Sequence, residues 1–400
     1  MTNDTVEDIL SRVRTLPTLP VIVYKLLKLT ESPTSTAAEL AEVIARDQAL
    51  TARLLRLVNS SFYALRSEVV KVSHAIALLG FVAIKNLALG LSVVDMFGRS
   101  EGELDGEAFW GHSLGCATCA RLIAEHVHYA PAEEAFVAGL LHDIGKLVMH
   151  EHFPKKFNAA LRAAREEVIP LTTAERRLFD TDHAELGAAL AEHWHLPEPL
   201  CTAIARHHAP DHGDMLTNIT YLANALARAK QIGSGGDVAL EPLDDHAWAA
   251  VGLNERALIR LVARLRREVE RAKISLDLSG VPRNIRLDQL DTPHIRIATS
   301  PAKRILLVEE QPSMLSLVEL ILLDHGHSTY RTTDPFDPGA NVADLVVLDF
   351  AAASLEHGRA LRAQIEERLG HRVPVVLLPT PRRVTDVLHT VHAAFTEATV

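Results

Sequence analysis

Cysteine is scarce in this sequence: three in 400 residues, Cys116, Cys119 and Cys201. So few thiols cannot staple a chain of this length, which excludes a disulfide framework and points to a reducing compartment. Positive charge is not in excess either, since 41 basic and 51 acidic residues leave a formal net charge of −10. A general nucleic-acid binder needs a basic face, so that class is excluded, while a small anionic ligand in one local pocket is not. The N-terminus, MTNDTVEDIL, has no apolar signal-peptide core. Apolar runs long enough for a bilayer are also missing. The nearest candidate, His74 to Val94, carries Lys85 and Asn86 at its middle and Gly80 and Gly90 as breaks, and reads as two buried helices joined at Gly80. A soluble, cytoplasmic protein without membrane insertion is the expectation.

What is present is the profile of a globular chain, 48% apolar and 23% charged, long enough for two or three domains. From Val6 to about Lys273 one helical pattern follows another. Asp47 suits an N-cap before Leu50, Leu54, Leu57 and Val58, which share one helical stripe. Ser73 is expected to cap the next helix, with Ile76 and Leu79 inward and Gly80 in a left-handed terminal position. A glycine-rich break, Gly233 to Gly236, precedes a last amphipathic helix from about Asn254 to Lys273. Residues 277–302 lose periodicity and read as a linker. Beyond it come apolar runs at Ile305–Val308, ending in Glu309 and Glu310, at Leu345–Leu348, ending in Asp349, and at Val373–Leu378. Helical patterns at Ser313–Leu323 and Arg382–Phe395 alternate with these runs, which indicates a parallel sheet covered by helices on both faces.

Chemistry concentrates in the second helical half. His142 and Asp143 are expected near the start of a helix introduced by Gly139, and Lys146 stands i+4 and i+3 from them, so all three can address one cavity. His112 precedes them, while His183 and the pair His207–His208 follow. Imidazole and carboxylate ligands suit one or two divalent metals, iron, manganese or zinc, and a metal pair can activate a water for phosphoester attack. The bland alternative makes Asp143 and Lys146 an exposed helical ion pair worth about 0.3–0.5 kcal/mol. His126, His128, His150, His152, His193 and His195 read as ordinary core or surface histidines. Cys116 and Cys119 form a single CxxC without a second one, short of the four good ligands a zinc site needs, and read as structural.

Several motifs, in order, carry a family resemblance. They are the Leu16–Pro20 run, RDQALTARLLRLVNSSFY at Arg46–Tyr63, SHAIALLGFVAIKNL at Ser73–Leu87, GHSLGCA at Gly111–Ala117, GLLHDIGKLVM at Gly139–Met149 and IARHHAP at Ile204–Pro210. With these the first 275 residues or so resemble the HDOD family, output domains related to HD phosphohydrolases. The resemblance implies an all-helical bacterial signalling module that acts by binding partners rather than by turnover. In HD-GYP phosphodiesterases, which this part is similar to in arrangement, positions matching His112, His142, Asp143, His183, His207 and His208 coordinate metal, and Lys146 would clamp a phosphoryl oxygen. Two departures weaken the catalytic reading. No GYP follows His208, where the sequence runs Ala209-Pro210-Asp211, and the late-helix aspartate of HD enzymes is matched best by Asn224.

The C-terminal hundred residues resemble a response-regulator receiver through RILLVEE, DLVVLDF and VPVVLLPT. That resemblance implies a small α/β, flavodoxin-like domain with Asp349 as phosphoacceptor and Glu309 and Glu310 as an acidic magnesium pocket. The acids are a methylene longer than the usual aspartates, Thr380 stands behind Pro379, and no fifth strand with its lysine follows, so a degenerate receiver is expected, with magnesium bound only if the domain is active. The whole is then a multidomain chain. Residues 1–108 and 109–276 form the N-terminal and HD-like halves of the all-α module, 277–302 the linker and 303–400 the receiver-like domain. Its partner is expected to be another signalling protein, with a nucleotide or cyclic dinucleotide as a further candidate ligand. The alternative function is a metal-dependent phosphohydrolase in which Asp143 and Lys146 are catalytic.

Overall fold

The protein is described by a computed structural model, which covers residues 21–276 and 303–397 apart from short stretches at 32–33, 61–62, 64, 66, 97–103, 211–213, 242, 254, 310–315, 335, 338–341, 351–354, 370–372 and 379–382. The expected linker at 277–302 and the Leu16–Pro20 run lie outside the described residues. Among the described residues the chain divides into two compact units, the larger built from residues within 21–162, 171–237 and 246–276, the smaller from those within 163–170, 238–245 and 303–397.

The larger unit is helical. Its first half contains α1 (Val21–Glu31), α2 (Ala37–Ala45), α3 (Gln48–Val58), α4 (Val72–Leu79) and α5 (Phe81–Met96). Thr36 and Glu39 close a capping box at the start of α2. Asp47 caps α3 by accepting from the Leu50 N–H, and Leu50, Leu54, Leu57 and Val58 are all buried, as their spacing requires. Ser73 does not cap α4. That helix starts at Val72 with Lys71 as its N-cap and no side-chain cap, because the His74 and Ala75 N–H groups bond directly to the Lys71 carbonyl. Gly80, at φ 92° and ψ 160°, makes the joint between α4 and α5 outside the left-handed helical region, in a conformation that tolerates little but glycine. No helix among the described residues is long and apolar enough to cross a membrane.

The second half contains α6 (Gly106–His126), α7 (Ala132–Leu141), α8 (Ile144–His152), α9 (Pro154–Glu167), α10 (Leu171–Phe179), α11 (His183–His193), α12 (Glu198–Arg206), α13 (Met215–Ala229), α14 (Asp245–Val251) and α15 (Glu255–Leu276). Helix α6 is central. Every residue from Phe109 to Ala124 is buried, and α7, α13 and α15 pack around it. Small residues permit this enclosure. Gly139 lies inside α7 rather than ahead of a helix, and a Cβ there would fall 2.8 Å from the Ala117 backbone, so the residue sets the close crossing of α6 and α7.

The smaller unit holds a four-stranded, all-parallel sheet in the order β2-β1-β3-β4. Its strands are β1 (Arg304–Glu309), β2 (Ser328–Thr332), β3 (Leu345–Asp349) and β4 (Val375–Leu377), with helices α16 (Leu317–Asp324), α17 (Leu355–Leu369) and α18 (Val384–Glu397). Alternate strand residues serve opposite faces. Ile305, Leu307, Leu345 and Val347 pack with residues of α16 and α18, whereas Leu306, Val308, Val346 and Leu348 pack with α17. Strand β2, with the polar sequence STYRT, has no apolar run to announce it because it forms a sheet edge with no buried residue.

Candidate metal centre

Four elements deliver the histidines to one point. His112 stands on α6, His142 and Asp143 form the junction between α7 and α8, His183 opens α11, and His207 and His208 follow the end of α12. The meeting of α8 and α11 depends on Gly145. A Cβ at that position would lie 2.0 Å from the His183 carbonyl oxygen, so only glycine lets the two backbones touch. Asp182 caps α11 through the N–H groups of Ala184 and Glu185, which fixes where His183 begins.

Each imidazole is oriented from outside. His142 Nδ1 lies 2.8 Å from the Gly139 carbonyl oxygen and His207 Nδ1 2.7 Å from that of Ile204; a carbonyl only accepts, so both Nδ1 atoms donate. His183 Nδ1 stands 2.6 Å from Glu175 Oε2, which also accepts the His183 N–H. The Nε2 atoms are thereby turned inward. His183 Nε2 lies 3.3 Å from His207 Nε2, 3.0 Å from His208 Nε2 and 3.2 Å from Asp143 Oδ1, and His207 Nε2 is 3.5 Å from the same oxygen. On the other side of the carboxylate, Asp143 Oδ2 faces His142 Nε2 at 3.3 Å, His112 Nε2 at 3.8 Å and Lys146 Nζ at 2.8 Å.

These separations test whether the residues fit a metal. Bonds of about 2.0–2.2 Å to nitrogen and oxygen space neighbouring ligand atoms about 2.8–3.6 Å apart in tetrahedral or octahedral sites. The set Asp143, His183, His207 and His208 meets that spacing at each of those four contacts, and His112, His142 and Asp143 form a second, looser group. His142 Nε2 and Asp143 Oδ1 are both fully buried among these groups. Inward nitrogens around a carboxylate call for positive charge at the centre. In the metal-free chain, protons supply part of it. Burial opposes a charge on His183, but the Glu175 carboxylate overrides it and lifts the group to about 10; His142 is likewise lifted to about 10, with Asp143 overcoming burial. Burial depresses His112 to about 3 and His207 to about 4, and pushes His208 well below its ordinary value. Burial would raise Asp143, yet His142 and Lys146 hold it well below the carboxylate range.

The structure thus brings together all seven residues singled out in this half. The exposed-ion-pair alternative for Asp143 and Lys146 fails, because both side chains are 1% exposed. Two carboxylates at the site escape sequence reasoning. Glu175 reaches His183 across the turn between α10 and α11, eight residues away, where no helical period applies. Asp237 accepts from Lys146 at 2.9 Å, and its only sequence signal is the glycine-rich break just before it. Asn224 is buried on α13, and the carboxylate that reaches Lys146 from the late part of this unit is that of Asp237. Cys116 and Cys119 are free and buried, their thiols pushed up by burial, with Cys116 against His142.

In the smaller unit, Glu309 and Asp349 are register partners at the carboxyl ends of β1 and β3. The Glu309 carboxylate is bound by Arg331, whose Nε and Nη2 stand 3.0 and 2.9 Å from Oε2, and Arg331 Nη1 also reaches Glu319 at 3.3 Å. Glu310 and Thr380 lie outside the described residues.

Comparison with known proteins agrees with this architecture. Residues 16–210 match the family model of the HDOD domain. A crystal structure of an HDOD domain protein of unknown function from Geobacter sulfurreducens is 29% identical with a TM-score of 0.56, covering 68% of this chain and 96% of that one. A protein from Shewanella amazonensis, provisionally described as a phosphohydrolase, is 26% identical with a TM-score of 0.52, covering 67% and 97%. An uncharacterised protein of Treponema pallidum is 27% identical over 225 residues, and the match spans 55% of this chain and 44% of that relative's length. With its motifs in order, its helical architecture and these likenesses in agreement, this chain carries an HDOD domain.

Proposed function

We propose that the chain is a bacterial signal-transduction adaptor that acts by binding another signalling protein, with its histidine cluster holding one or two divalent metals, rather than an enzyme that turns substrate over. The observation that carries this reading is the closure of the cluster. His112, His142, Asp143, Lys146, His183 and His207 are each no more than 2% exposed, His208 alone of the seven is partly exposed, and the Lys146 ammonium is taken up by two carboxylates of the chain itself. A phosphoester would need access to that ammonium and to the metals. Bound there, iron, manganese or zinc would supply Lewis-acid charge; the protein's own part is to aim the Nε2 atoms, keep water out and fix Asp143 between the two groups of imidazoles.

A second reading, the metal-dependent phosphohydrolase acting on a nucleotide or cyclic dinucleotide, draws on one feature. The two oxygens of Asp143 face separate groups of histidines, a disposition suited to a carboxylate shared by two metals. In that reading Asp143 and Lys146 are catalytic, and the nucleotide of the adaptor reading is a modulator instead.

The smaller unit is read as a degenerate, receiver-like, flavodoxin-like domain that modulates or localises the contact. Support comes from the strand order, the helices on both faces and Asp349 at a strand's carboxyl end. The Arg331 guanidinium on Glu309 favours the degenerate form, with the magnesium-binding carboxylate already neutralised.

Elemental analysis of the full chain beside a His142→Ala, Asp143→Ala double variant, followed by turnover assays of the metal-loaded protein on a nucleotide panel, separates the readings. One or two equivalents of metal absent from the variant, without turnover, is the expected result. Steady turnover that disappears in Asp143→Ala would overturn the adaptor reading in favour of the hydrolase.

A further inference from the structure

The segment that covers the Lys146 and His112 side of the cluster is not a helix but the glycine-rich break. The Ser234 N–H donates to the Ala108 carbonyl at 2.8 Å, which ties the segment to the first turn of α6. A Cβ on Gly235 would fall 2.7 Å from Asp143 Oδ2, 3.0 Å from Lys146 Nζ and 3.2 Å from His112 Cδ2, so bare backbone lies directly on the cluster. Asp237 then anchors the far end. Its Oδ1 accepts from the Leu171 N–H at 3.1 Å, the first residue of α10, and its Oδ2 accepts from Lys146 Nζ at 2.9 Å. Its side chain is 6% exposed, and it belongs to neither group of converging ligand atoms.

We propose that residues 233–237 form a latch over the histidine cluster, held shut by Asp237 on Lys146, and that this latch sets the rate at which a divalent metal enters and leaves. The inference rests on the metal-binding reading above and adds a positioning role for Asp237. The physics is that of local opening. A short strap with little side-chain bulk, pinned by a few named bonds, opens without unfolding the helices beneath it. Asp237→Asn keeps the shape and an acceptor for the Leu171 N–H but loses the charge that neutralises Lys146, so the strap loosens while Lys146 keeps Asp143 as partner. Gly235→Ala acts differently, by putting a methyl where Asp143 and Lys146 already stand.

The test uses the full chain loaded with manganese or zinc and follows metal loss to excess chelator, with amide hydrogen exchange measured on the same samples. The expected result is metal loss at least about tenfold faster in Asp237→Asn at unchanged metal equivalents, with faster exchange at the Ser234 amide and unchanged exchange in the middle of α6. Asp237→Glu, which keeps the charge, returns the rate towards that of the unmodified chain. Equal rates of metal loss in the presence of a faster Ser234 amide would overturn the latch while leaving the metal reading intact. Loss of a metal equivalent in Asp237→Asn would overturn it in another way, by making Asp237 a ligand. Zero metal in every form, even after reconstitution, would bring down the metal reading and the latch with it.

Discussion

At the scale of single residues, the cluster is governed by which nitrogen of each imidazole is bare. His142 and His207 owe their orientation to carbonyls three residues back in the chain, at Gly139 and Ile204, whereas His183 owes it to Glu175. Removing the Glu175 charge by Glu175→Gln should therefore weaken metal binding about 10–100-fold without changing the number of equivalents, as read by competition with a chelating dye. An unchanged affinity would show that His183 needs no such partner. The same residues fix a pH dependence. His142 and His183 lie near 10 in the metal-free chain, so at neutral pH both carry a proton that a ligand nitrogen must give up. His112 and His207, at about 3 and 4, are already neutral. Metal uptake at pH 7 should expel about two protons, and apparent affinity should climb as pH rises towards 9. Calorimetry in buffers of different ionisation enthalpy measures this, and uptake without proton release would contradict it. The HDIGK run was legible in the sequence because its ligands lie within one turn; Glu175 and Asp237 were not, since nothing periodic links them to their partners.

Between elements, the decisive contacts are those of backbone on backbone. Helices α8 and α11 meet at Gly145, where a methyl group would sit 2.0 Å from the His183 carbonyl and 2.8 Å from the Gly187 nitrogen. Gly145→Ala should push the two helices apart, cost about 1–3 kcal/mol of stability and displace His183. Urea melts and metal equivalents of that variant check both effects, and a variant as stable and as metal-rich as the parent would show that the crossing has slack. Composition could not reveal this. A glycine in a helical pattern reads as a weak point until its neighbour is known, and Gly139, expected to introduce a helix, proved to be the crossing point of α6 and α7. Strand β2 escaped notice for the complementary reason. An edge strand carries polar residues on both faces, and its place is fixed by pairing with β1.

For the molecule as a whole, two cores of different kinds share one chain, an all-helical unit around α6 and a parallel sheet with helices on both faces. The smaller unit keeps an aspartate at the carboxyl end of β3 but commits its neighbouring acid to Arg331. Treating the full chain with acetyl phosphate and magnesium should leave Asp349 unmodified, as mass spectrometry of its peptide would report, because a carboxylate paired with a guanidinium is a poor ligand for a hard cation. A phosphorylated Asp349 would overturn the degenerate reading.

By itself the sequence determined the helical module, the alternation that builds the sheet and seven of the polar residues at the candidate centre. Those features are written in local period and in motifs whose parts lie close along the chain. Tertiary structure alone decided that the seven converge, that Glu175 and Asp237 join them, that the Gly233–Asp237 strap closes over them and that Arg331 occupies the acidic end of β1. Each of these joins residues separated by a turn or by tens of positions, and such a pairing is set by how helices and strands pack, which depends on many weak contacts at once and leaves no signature in any one stretch of sequence.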